Sequence, residues 1–174
     1  MSSSNTDTRL TEASYIVLGL LEQAEPATPY DLKQLAQIST NNFWTVPHTQ
    51  LYTECARLAA EGLLDERQEQ TGRRKRTYRL TDSGRAALAR WRREPTQELH
   101  ELRDAGTLKL FFGADPARLA VTELDAHRKR LRGYEEIRAA IPHAPRGQLL
   151  ALEFGIGHER ESIRFWTTLL SDAH

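Results

Sequence analysis

The 174-residue sequence predicts a mainly α-helical protein that contains one small β-hairpin. Three segments with apolar residues at helical spacing precede the hairpin, and a fourth follows it directly. Two much longer helical segments then fill the C-terminal part of the chain. The order of helix, helix, helix, hairpin and helix is that of a winged helix-turn-helix. We expect this domain at residues 11–95, after a flexible tail at residues 1–10 and before a helical domain at residues 96–174.

Capping residues mark the ends of the first three helices. Thr11 is suited to the N-cap of the first helix. Pro29 can open a second helix, which its apolar spacing extends to about Ile38. Pro47 is suited to the first helical position of a third helix, and Gly62 to the C′ position after its last turn.

The third helix has two chemically different faces. At about 100° per residue, Leu51, Cys55 and Leu58 fall on one face, which we expect to be buried. The opposite face and its edges carry small and hydrogen-bonding residues: Thr49, Gln50, Tyr52, Thr53, Ala56, Arg57 and Ala60. A strip of small residues flanked by donors lets a helix backbone approach base edges in the major groove of DNA. The alternative is a helix that exposes an inert, solvated surface.

The hairpin that follows carries a local excess of positive charge. Its predicted strands are Leu63–Gln70 and Arg76–Leu80, joined by a turn at residues 71–72. The whole chain has no net charge, yet residues 63–93 hold ten Lys and Arg against four Asp and Glu. Four adjacent residues concentrate this charge at the tip: Arg73, Arg74, Lys75 and Arg76. A confined basic surface predicts contact with a polyanion, whereas the alternative is a solvated loop that is basic by chance.

The C-terminal part of the chain predicts more apolar helical surface than one helical hairpin can bury. Two long helices, over residues 115–140 and 145–170, follow a short one near residues 103–112. Gly155 and Gly157 lie inside the last helix, where glycine costs about 1 kcal/mol against alanine. We therefore expect close packing against another helix at both glycines. The excess apolar surface predicts association with a second subunit.

The sequence contains no pattern typical of an enzyme, a metal site or a membrane protein. Its six histidines lack metal-ligand spacing, and neither a G-x-S-x-G nor a Walker-type loop is present. The single cysteine, Cys55, lies on the predicted core face and excludes an intrachain disulfide. No apolar run approaches the roughly 20 residues that span a bilayer. We expect a cytoplasmic, non-enzymatic protein without a metal or cofactor.

Three segments of the winged domain resemble the PadR family of transcriptional regulators: YIVLGLLEQAEPATPYDLKQL, FWTVPHTQLYTECARLAAEGLL and GRRKRTYRLTDSGRAALARW. The later segments ELRDAGTLKLFFG and LEFGIGHERESIRFW resemble the C-terminal domain of the family's long form. The resemblance implies a homodimeric repressor whose winged helices bind a palindromic operator and whose C-terminal helices form the dimer. Some members release DNA on binding phenolic acids or other small aromatic compounds, so the resemblance also implies a small aromatic effector.

The residue pattern and the resemblance together give an expected DNA-binding surface. The third helix would lie in the major groove, the second would contact the backbone, and the hairpin would reach phosphates or the adjacent minor groove. The expected contact residues are Tyr30, Lys33, His48, Thr49, Gln50, Tyr52, Thr53, Arg57, Arg73, Arg74, Lys75 and Arg76. The alternative function is a winged helix that binds another protein, with the basic hairpin as its docking surface.

Aromatic residues are the expected lining of an effector pocket between the two domains. Phe43, Trp44 and Trp91 are the candidates, and Trp44 and Trp91 rank first because each borders the winged domain. Core or dimer packing is the alternative role for these residues.

The chain also departs from the family on the third helix. Serine is common in the family where Pro47 stands, and proline is common where Thr53 stands. Both positions lie at the predicted DNA-binding surface. We therefore expect an operator sequence that differs from those of other members.

Overall fold

The computed structural model describes residues 9–70, 75–96, 99 and 101–171. The chain divides into two compact units, Met1–Gln97 and Glu98–His174, which we call the winged unit and the helical unit. Most of the predicted N-terminal tail and of the hairpin tip lie outside the described residues. The predicted mainly α-helical class with one antiparallel hairpin is confirmed.

The winged unit follows the predicted order of helix, helix, helix, hairpin and helix. Its described elements are α1 (Glu12–Ala24), α2 (Pro29–Ile38), a 3-10 turn (Thr40–Asn42), α3 (His48–Ala60), β1 (Leu64–Gln68), β2 (Arg76–Leu80) and α4 (Asp82–Trp91). The two strands pair antiparallel, in a register that joins Leu64 to Leu80 and Gln68 to Arg76. We call this hairpin the wing.

Local capping explains where α1 and α2 begin. Thr11 occupies the N-cap of α1, and its backbone N–H donates to Ser14 Oγ at 2.9 Å. Thr28 and Asp31 form a reciprocal capping box at α2, with Pro29 at the first helical position. Both predicted N-termini are confirmed. Each helix begins at its cap because the cap satisfies backbone donors that the helix itself leaves unpaired.

Helix α3 begins one residue later than the sequence predicts. Pro47 has φ −57° and ψ 142°, and this ψ is not helical. Pro47 therefore occupies the N-cap, and His48 is the first helical residue. The prediction of Pro47 at the first helical position was therefore wrong. At the other end, Gly62 adopts φ +74°, the left-handed conformation predicted for the C′ residue.

One apolar core fills the winged unit and draws on its helices and both strands. Leu51, Cys55 and Leu58 of α3 are almost fully buried in it, as predicted. Burial raises the pKa of the Cys55 thiol to about 12, because the thiolate would lose its hydration there. The core also contains Ala13, Val17, Leu18, Leu20, Leu21, Ala27, Leu32, Ala36, Val46, Leu64, Tyr78, Leu80 and Leu88.

The helical unit contains a short helix, α5 (Ala105–Phe111), and two long helices that follow it, α6 (Pro116–Ala140) and α7 (Arg146–Ser171). Asp104 and Asp115 cap α5 and α6 by accepting backbone N–H bonds. A Cβ at Gly155 would lie 3.1 Å from the Tyr134 ring, so the expected close packing is confirmed there. Gly157 has no such neighbour within 4 Å in this chain, so close packing at Gly157 stays a prediction.

The interior of the helical unit is small and contains an ionisable pair. Its buried apolar side chains among the described residues are Ala120, Leu124, Ile156 and Trp166. The carboxylate of Glu159 is only 2% exposed and lies 2.6 Å from His127 Nδ1. A hydrogen-bonded partner of this kind offsets the cost of removing a carboxylate from water.

Large apolar side chains remain exposed on the surface of the helical unit. They are Leu99, Leu102, Leu108, Phe111, Phe112, Val121, Leu150, Phe154 and Phe165. Within the described part of the chain, no helix is long and apolar enough to cross a bilayer. The same residues contain no cluster of three or more His, Cys, Asp or Glu suited to a metal ion.

Candidate nucleic-acid interface

The N-terminus of α2 presents one aromatic and one basic side chain from a rigid cap. The Asp31 carboxylate accepts bonds from the Thr28 backbone N–H at 2.8 Å and from the Thr28 hydroxyl at 2.7 Å. These bonds lower the pKa of Asp31. Tyr30 is 54% exposed, and Lys33 Nζ lies 5.8 Å from the centre of its ring. The two predicted α2 contact residues therefore lie side by side on a fixed turn.

The polar face of α3 is exposed along the length predicted from its periodicity. His48, Thr49, Gln50 and Thr53 are all exposed, and Tyr52 is 48% exposed. The Thr53 hydroxyl lies 3.1 Å from the carbonyl oxygens of both Thr49 and Gln50 and donates within the helix. Its hydroxyl therefore already has hydrogen-bond partners within α3, which leaves the methyl group as the apolar part of an exposed side chain.

Arg57 is bonded inside the winged unit. Its guanidinium donates to both carboxylate oxygens of Glu54, at 2.5 and 3.1 Å, and to Glu61 at 2.7 Å. It also donates to Ser14 Oγ of α1 at 2.9 Å. These bonds occupy all three guanidinium nitrogens, so Arg57 is not included in the contact set proposed below.

Backbone and side-chain bonds fasten the wing to the loop before α2. Ala27 and Tyr78 exchange two backbone hydrogen bonds, at 2.9 and 3.2 Å. The Leu80 N–H donates to Glu25 at 2.7 Å. The Tyr78 hydroxyl donates to Glu66 at 3.0 Å, and burial together with this bond raises the pKa of Tyr78 to about 12. The base of the wing is therefore fixed relative to α2.

A groove of about 870 Å³ lies where α2, α3 and the wing meet. It brings together four of the predicted contact residues: Tyr30, Tyr52, Lys75 and Arg76. Its other lining residues are Thr28, Pro29, Asp31, Ala56, Glu69 and Tyr78. Two of these lining residues, Asp31 and Glu69, carry carboxylates, which the sequence did not predict for a basic surface. Arg73 and Arg74, the other two predicted wing residues, lie outside the described residues.

Part of the basic excess of residues 63–93 is neutralised inside the winged unit. Arg85 of α4 pairs with Glu25, and Arg92 pairs with Glu22. Arg76 lies 3.4 Å from Glu66 across the wing. Lys75 is exposed and lines the groove. Arg79 and Arg90 are also exposed, so the positive charge of this segment is not confined to the tip of the wing.

The candidate effector residues lie in two different surroundings of the winged unit. Phe43 and Trp44 follow the 3-10 turn and are 69% and 49% exposed. Trp91 ends α4 and stacks on Tyr15, with ring centres 4.6 Å apart and planes within 9°. Stacking packs Trp91 between α1 and α4 but leaves it 42% exposed, so all three side chains are accessible to a small molecule.

Sequence patterns alone did not single out Glu54 and Ser14. Glu54 is 8% exposed and Ser14 is fully buried, and the Ser14 hydroxyl donates to Glu54 at 2.5 Å. A signal was present, since Glu54 stands three residues after Leu51 on the buried stripe and three before an arginine. An acidic residue on a core stripe with an arginine at that spacing indicates an internal ion pair.

Two family profiles match most of the chain. One, described as the transcriptional regulator PadR-like family, matches residues 17–90, and another, described as virulence activator alpha C-term, matches residues 102–172. The negative transcriptional regulator PadR of Bacillus subtilis (strain 168) is 34% identical over 102 residues. The match covers 56% of this chain and 54% of that relative, so the chain spans about half the relative's length.

Solved structures share the fold over nearly the whole chain. Bacillus subtilis PadR in complex with operator DNA has a TM-score of 0.82 at 23% identity, covering 92% of this chain and 98% of that one. The Vibrio cholerae virulence activator AphA has a TM-score of 0.71 at 26% identity, covering 93% and 98%. The predicted winged helix followed by a C-terminal helical region is thereby confirmed.

Proposed function

Because the chain belongs to the PadR-like family of transcriptional regulators, we propose that it binds duplex DNA as a homodimer and represses transcription from a palindromic operator. The observation that carries this proposal is the groove at which the exposed face of α3, the N-terminus of α2 and the wing meet. A helix that enters the major groove beside a basic wing contacts bases and phosphates at once.

Each element has a distinct role in this proposal. Helix α3 contacts base edges or nearby phosphates through His48, Thr49, Gln50, Tyr52 and Thr53, all of which are exposed. Tyr30 and Lys33 of α2 contact the DNA backbone. Lys75 and Arg76, together with Arg73 and Arg74 just before them in sequence, reach phosphates or the adjacent minor groove. Phosphate contacts supply affinity and orientation, whereas the α3 contacts supply sequence preference.

The exposed apolar surface of the helical unit supports the proposed homodimer. Leu150 and Phe154 lie four residues apart on α7 and are 57% and 71% exposed. Phe111 and Phe112, at the end of α5, are 82% and 77% exposed. Apolar surface of this extent typically marks a protein interface. A two-fold dimer would place two α3 helices about 34 Å apart, one turn of DNA, and so require a palindromic site.

Selection from a random duplex pool followed by footprinting tests the proposed function. We expect the wild-type protein to enrich one palindromic sequence with half-sites about 10 base pairs apart. Repression is tested by placing that sequence between a promoter and a reporter gene, where co-expression of the protein should lower reporter output. Failure to retain any duplex at low salt would instead favour the protein-docking alternative.

The contribution of the wing is tested with a matched pair of charge-removing variants. Lys75→Ala should weaken binding and lower the slope of log affinity against log salt by about 1 for each half-site, because one phosphate contact is lost. Arg90→Ala removes an exposed cation from α4, outside the proposed interface, and should leave both quantities unchanged. Equal slopes for wild type and Lys75→Ala would remove the wing from the interface.

We also propose that a small aromatic compound regulates DNA binding through the winged unit's exposed aromatic residues. Phe43 and Trp44 are accessible, and the indole of Trp44 gives a direct optical signal. Titration of aromatic acids should quench tryptophan fluorescence and release the selected duplex in the same concentration range. Trp44→Phe should abolish the quenching assigned to this residue. Quenching without DNA release would show binding that does not regulate.

A further inference from the structure

Helix α3 is bonded to α1 through charged and polar side chains along one of its edges. Ser14 of α1 is fully buried, and its hydroxyl donates to Glu54 of α3 at 2.5 Å. Arg57, one turn further along α3, donates to Glu54 at 2.5 Å and back to Ser14 at 2.9 Å. Ser14, Glu54 and Arg57, which we call the α1–α3 network, thus form a closed triangle between two helices.

The ionised carboxylate at the centre of this network has its own stabilising partners. Burial opposes ionisation of Glu54, but the hydrogen bonds from Arg57 and Ser14 outweigh it and lower the pKa of Glu54. Ser14 Oγ also accepts the Thr11 N–H that caps α1. The network therefore connects the first turn of α1 to the middle of α3 with directional bonds.

The position of the network on α3 matters for rotation about the helix axis. At about 100° per residue, Glu54 and Arg57 lie toward the edge that carries Gln50, while Tyr52 lies on the other edge, against the groove. Between these edges, the core face makes apolar contacts, which are non-directional and tolerate small rotations. Hydrogen-bonded networks do not tolerate them, since their strength depends on angle and distance.

We propose that Glu54 is a positioning residue that sets the rotation of α3 through Ser14 and Arg57, and that keeps Arg57 away from DNA. This inference rests on the proposed function, in which the face of α3 that lies opposite the core contacts base edges. A helix with side chains has a radius of about 5–6 Å, so a rotation of about 15° moves the outer side-chain atoms by about 1.5 Å. A displacement of that size breaks a hydrogen bond to a base.

The network also determines whether the positive charge of Arg57 is available to a DNA phosphate. With Glu54 present, the guanidinium of Arg57 is bonded on all three nitrogens. Without Glu54, only the bonds to Ser14 and to the partly exposed Glu61 remain. Arg57 would then be able to reach a nearby phosphate, which strengthens binding to any sequence. Loss of Glu54 should therefore weaken discrimination while increasing the salt dependence of binding.

The test compares specific and non-specific DNA binding in Glu54→Ala, Glu54→Gln, Ser14→Ala and Glu61→Ala. The specific probe is the duplex that the wild-type protein selects from a random pool, and the non-specific probe is a scrambled duplex of equal composition. Glu54→Ala should reduce the ratio of specific to non-specific affinity at least tenfold. On the scrambled duplex it should raise the salt slope by about 1 for each half-site.

The other variants separate positioning from charge and from stability. Glu54→Gln keeps an acceptor for Ser14 and should retain most of the affinity ratio. Ser14→Ala breaks the bond to α1 but keeps the Glu54–Arg57 pair, so it should lower the ratio without changing the salt slope. Glu61→Ala removes the other carboxylate that Arg57 contacts and should change the ratio less than twofold. Thermal unfolding of each variant gives the folded fraction by which affinities are corrected.

The outcomes distinguish this inference from the proposed function. If the wild-type protein selects no sequence, the proposed function fails and the inference fails with it. If the wild type selects a sequence but Glu54→Ala and Ser14→Ala keep its affinity ratio within threefold, only the inference is overturned. Should Glu54→Ala fail to fold, the Ser14→Ala and Glu54→Gln ratios decide the question, because neither variant leaves a buried charge without a partner.

Discussion

The two units of this protein differ in how they bury apolar surface. In the winged unit, side chains from α1 to α4 and both strands converge on one core that includes Val17, Leu32 and Leu58. In the helical unit, three helices enclose a small cluster around Ala120, Leu124 and Trp166. Among the described residues, that unit exposes nine large apolar side chains, five of them aliphatic, whereas the winged unit exposes six, of which one, Ile38, is aliphatic. The difference indicates that the winged unit can fold around its own interior, whereas the helical unit carries surface suited to a second subunit.

The comparison also extends to buried charge. Among the described residues, each unit encloses one carboxylate, Glu54 in the winged unit and Glu159 in the helical unit. The first is bonded to Arg57 and Ser14, and thereby joins α3 to α1. The second is bonded to His127, and thereby joins α7 to α6. Polar pairs of this kind select one arrangement of helices where apolar contacts alone would allow several.

The largest expected effect concerns the apolar surface of the helical unit. Phe154→Asp should convert the proposed homodimer to a monomer, because an interface aromatic contributes about 2 kcal/mol and counts twice across a two-fold axis. Light scattering after size exclusion measures the mass. Ile38→Asp alters a side chain of similar exposure on the winged unit and should leave the mass unchanged. A dimer that persists in Phe154→Asp would place the interface elsewhere.

The next effect concerns the ionisable pair inside the helical unit. His127→Ala should lower the free energy of unfolding by about 2 kcal/mol, because the buried Glu159 would lose its 2.6 Å hydrogen bond and keep only the 3.9 Å ion pair with Arg130. Urea denaturation followed by circular dichroism measures the change. Arg164→Ala breaks an exposed ion pair on α7 and should have no measurable effect. A small loss in His127→Ala would mean that water reaches Glu159 from the surface.

A pH-dependent effect is expected where the wing joins the rest of the winged unit. The Leu80 N–H, and then Arg85, lower the pKa of Glu25 below its usual value of 4.5. The Glu25 carboxylate therefore contributes stability above that value and loses it as pH falls through the lowered pKa of the folded state. The stability difference between wild type and Glu25→Gln should shrink from pH 5 to pH 3. Chemical denaturation across this range measures it, and a constant difference would contradict the assignment.

The smallest expected effect distinguishes the two glycines of α7. Gly157→Ala should raise the free energy of unfolding by about 1 kcal/mol, because a methyl group there meets no neighbour within 4 Å. Gly155→Ala should gain less, because its methyl group must displace the Tyr134 ring. Thermal unfolding measures both. If Gly157→Ala weakens the proposed dimer, a partner helix approaches α7 closely at that glycine.

The parts of the fold that depend on residues close together in the sequence were predictable from it. Thr11, Pro29 and Gly62 mark helix ends because caps and left-handed residues act within a few positions of the chain. Cys55 was correctly placed in the core by helical periodicity. Pro47 was placed one residue too far into the helix, because its φ suits both the N-cap and the first helical position.

The parts of the candidate site that depend on distant residues were less predictable. Arg57 was expected to face DNA, but its partners include a serine 43 residues earlier in the chain. Arg85 and Arg92 contributed to the basic excess, yet each pairs with a glutamate at or beyond the end of α1. Charge counting along a sequence cannot separate such internal pairs from surface charge, because pairing is decided by tertiary packing.

The burial of Cys55 has a practical consequence for following this protein in solution. It is the chain's single cysteine, it is fully buried, and its high pKa keeps it in the unreactive thiol form at neutral pH. A cysteine introduced at exposed Arg90 would therefore take a maleimide dye selectively, with no need to remove the native thiol. Energy transfer from that dye to a labelled duplex could then time arrival on DNA and departure from it.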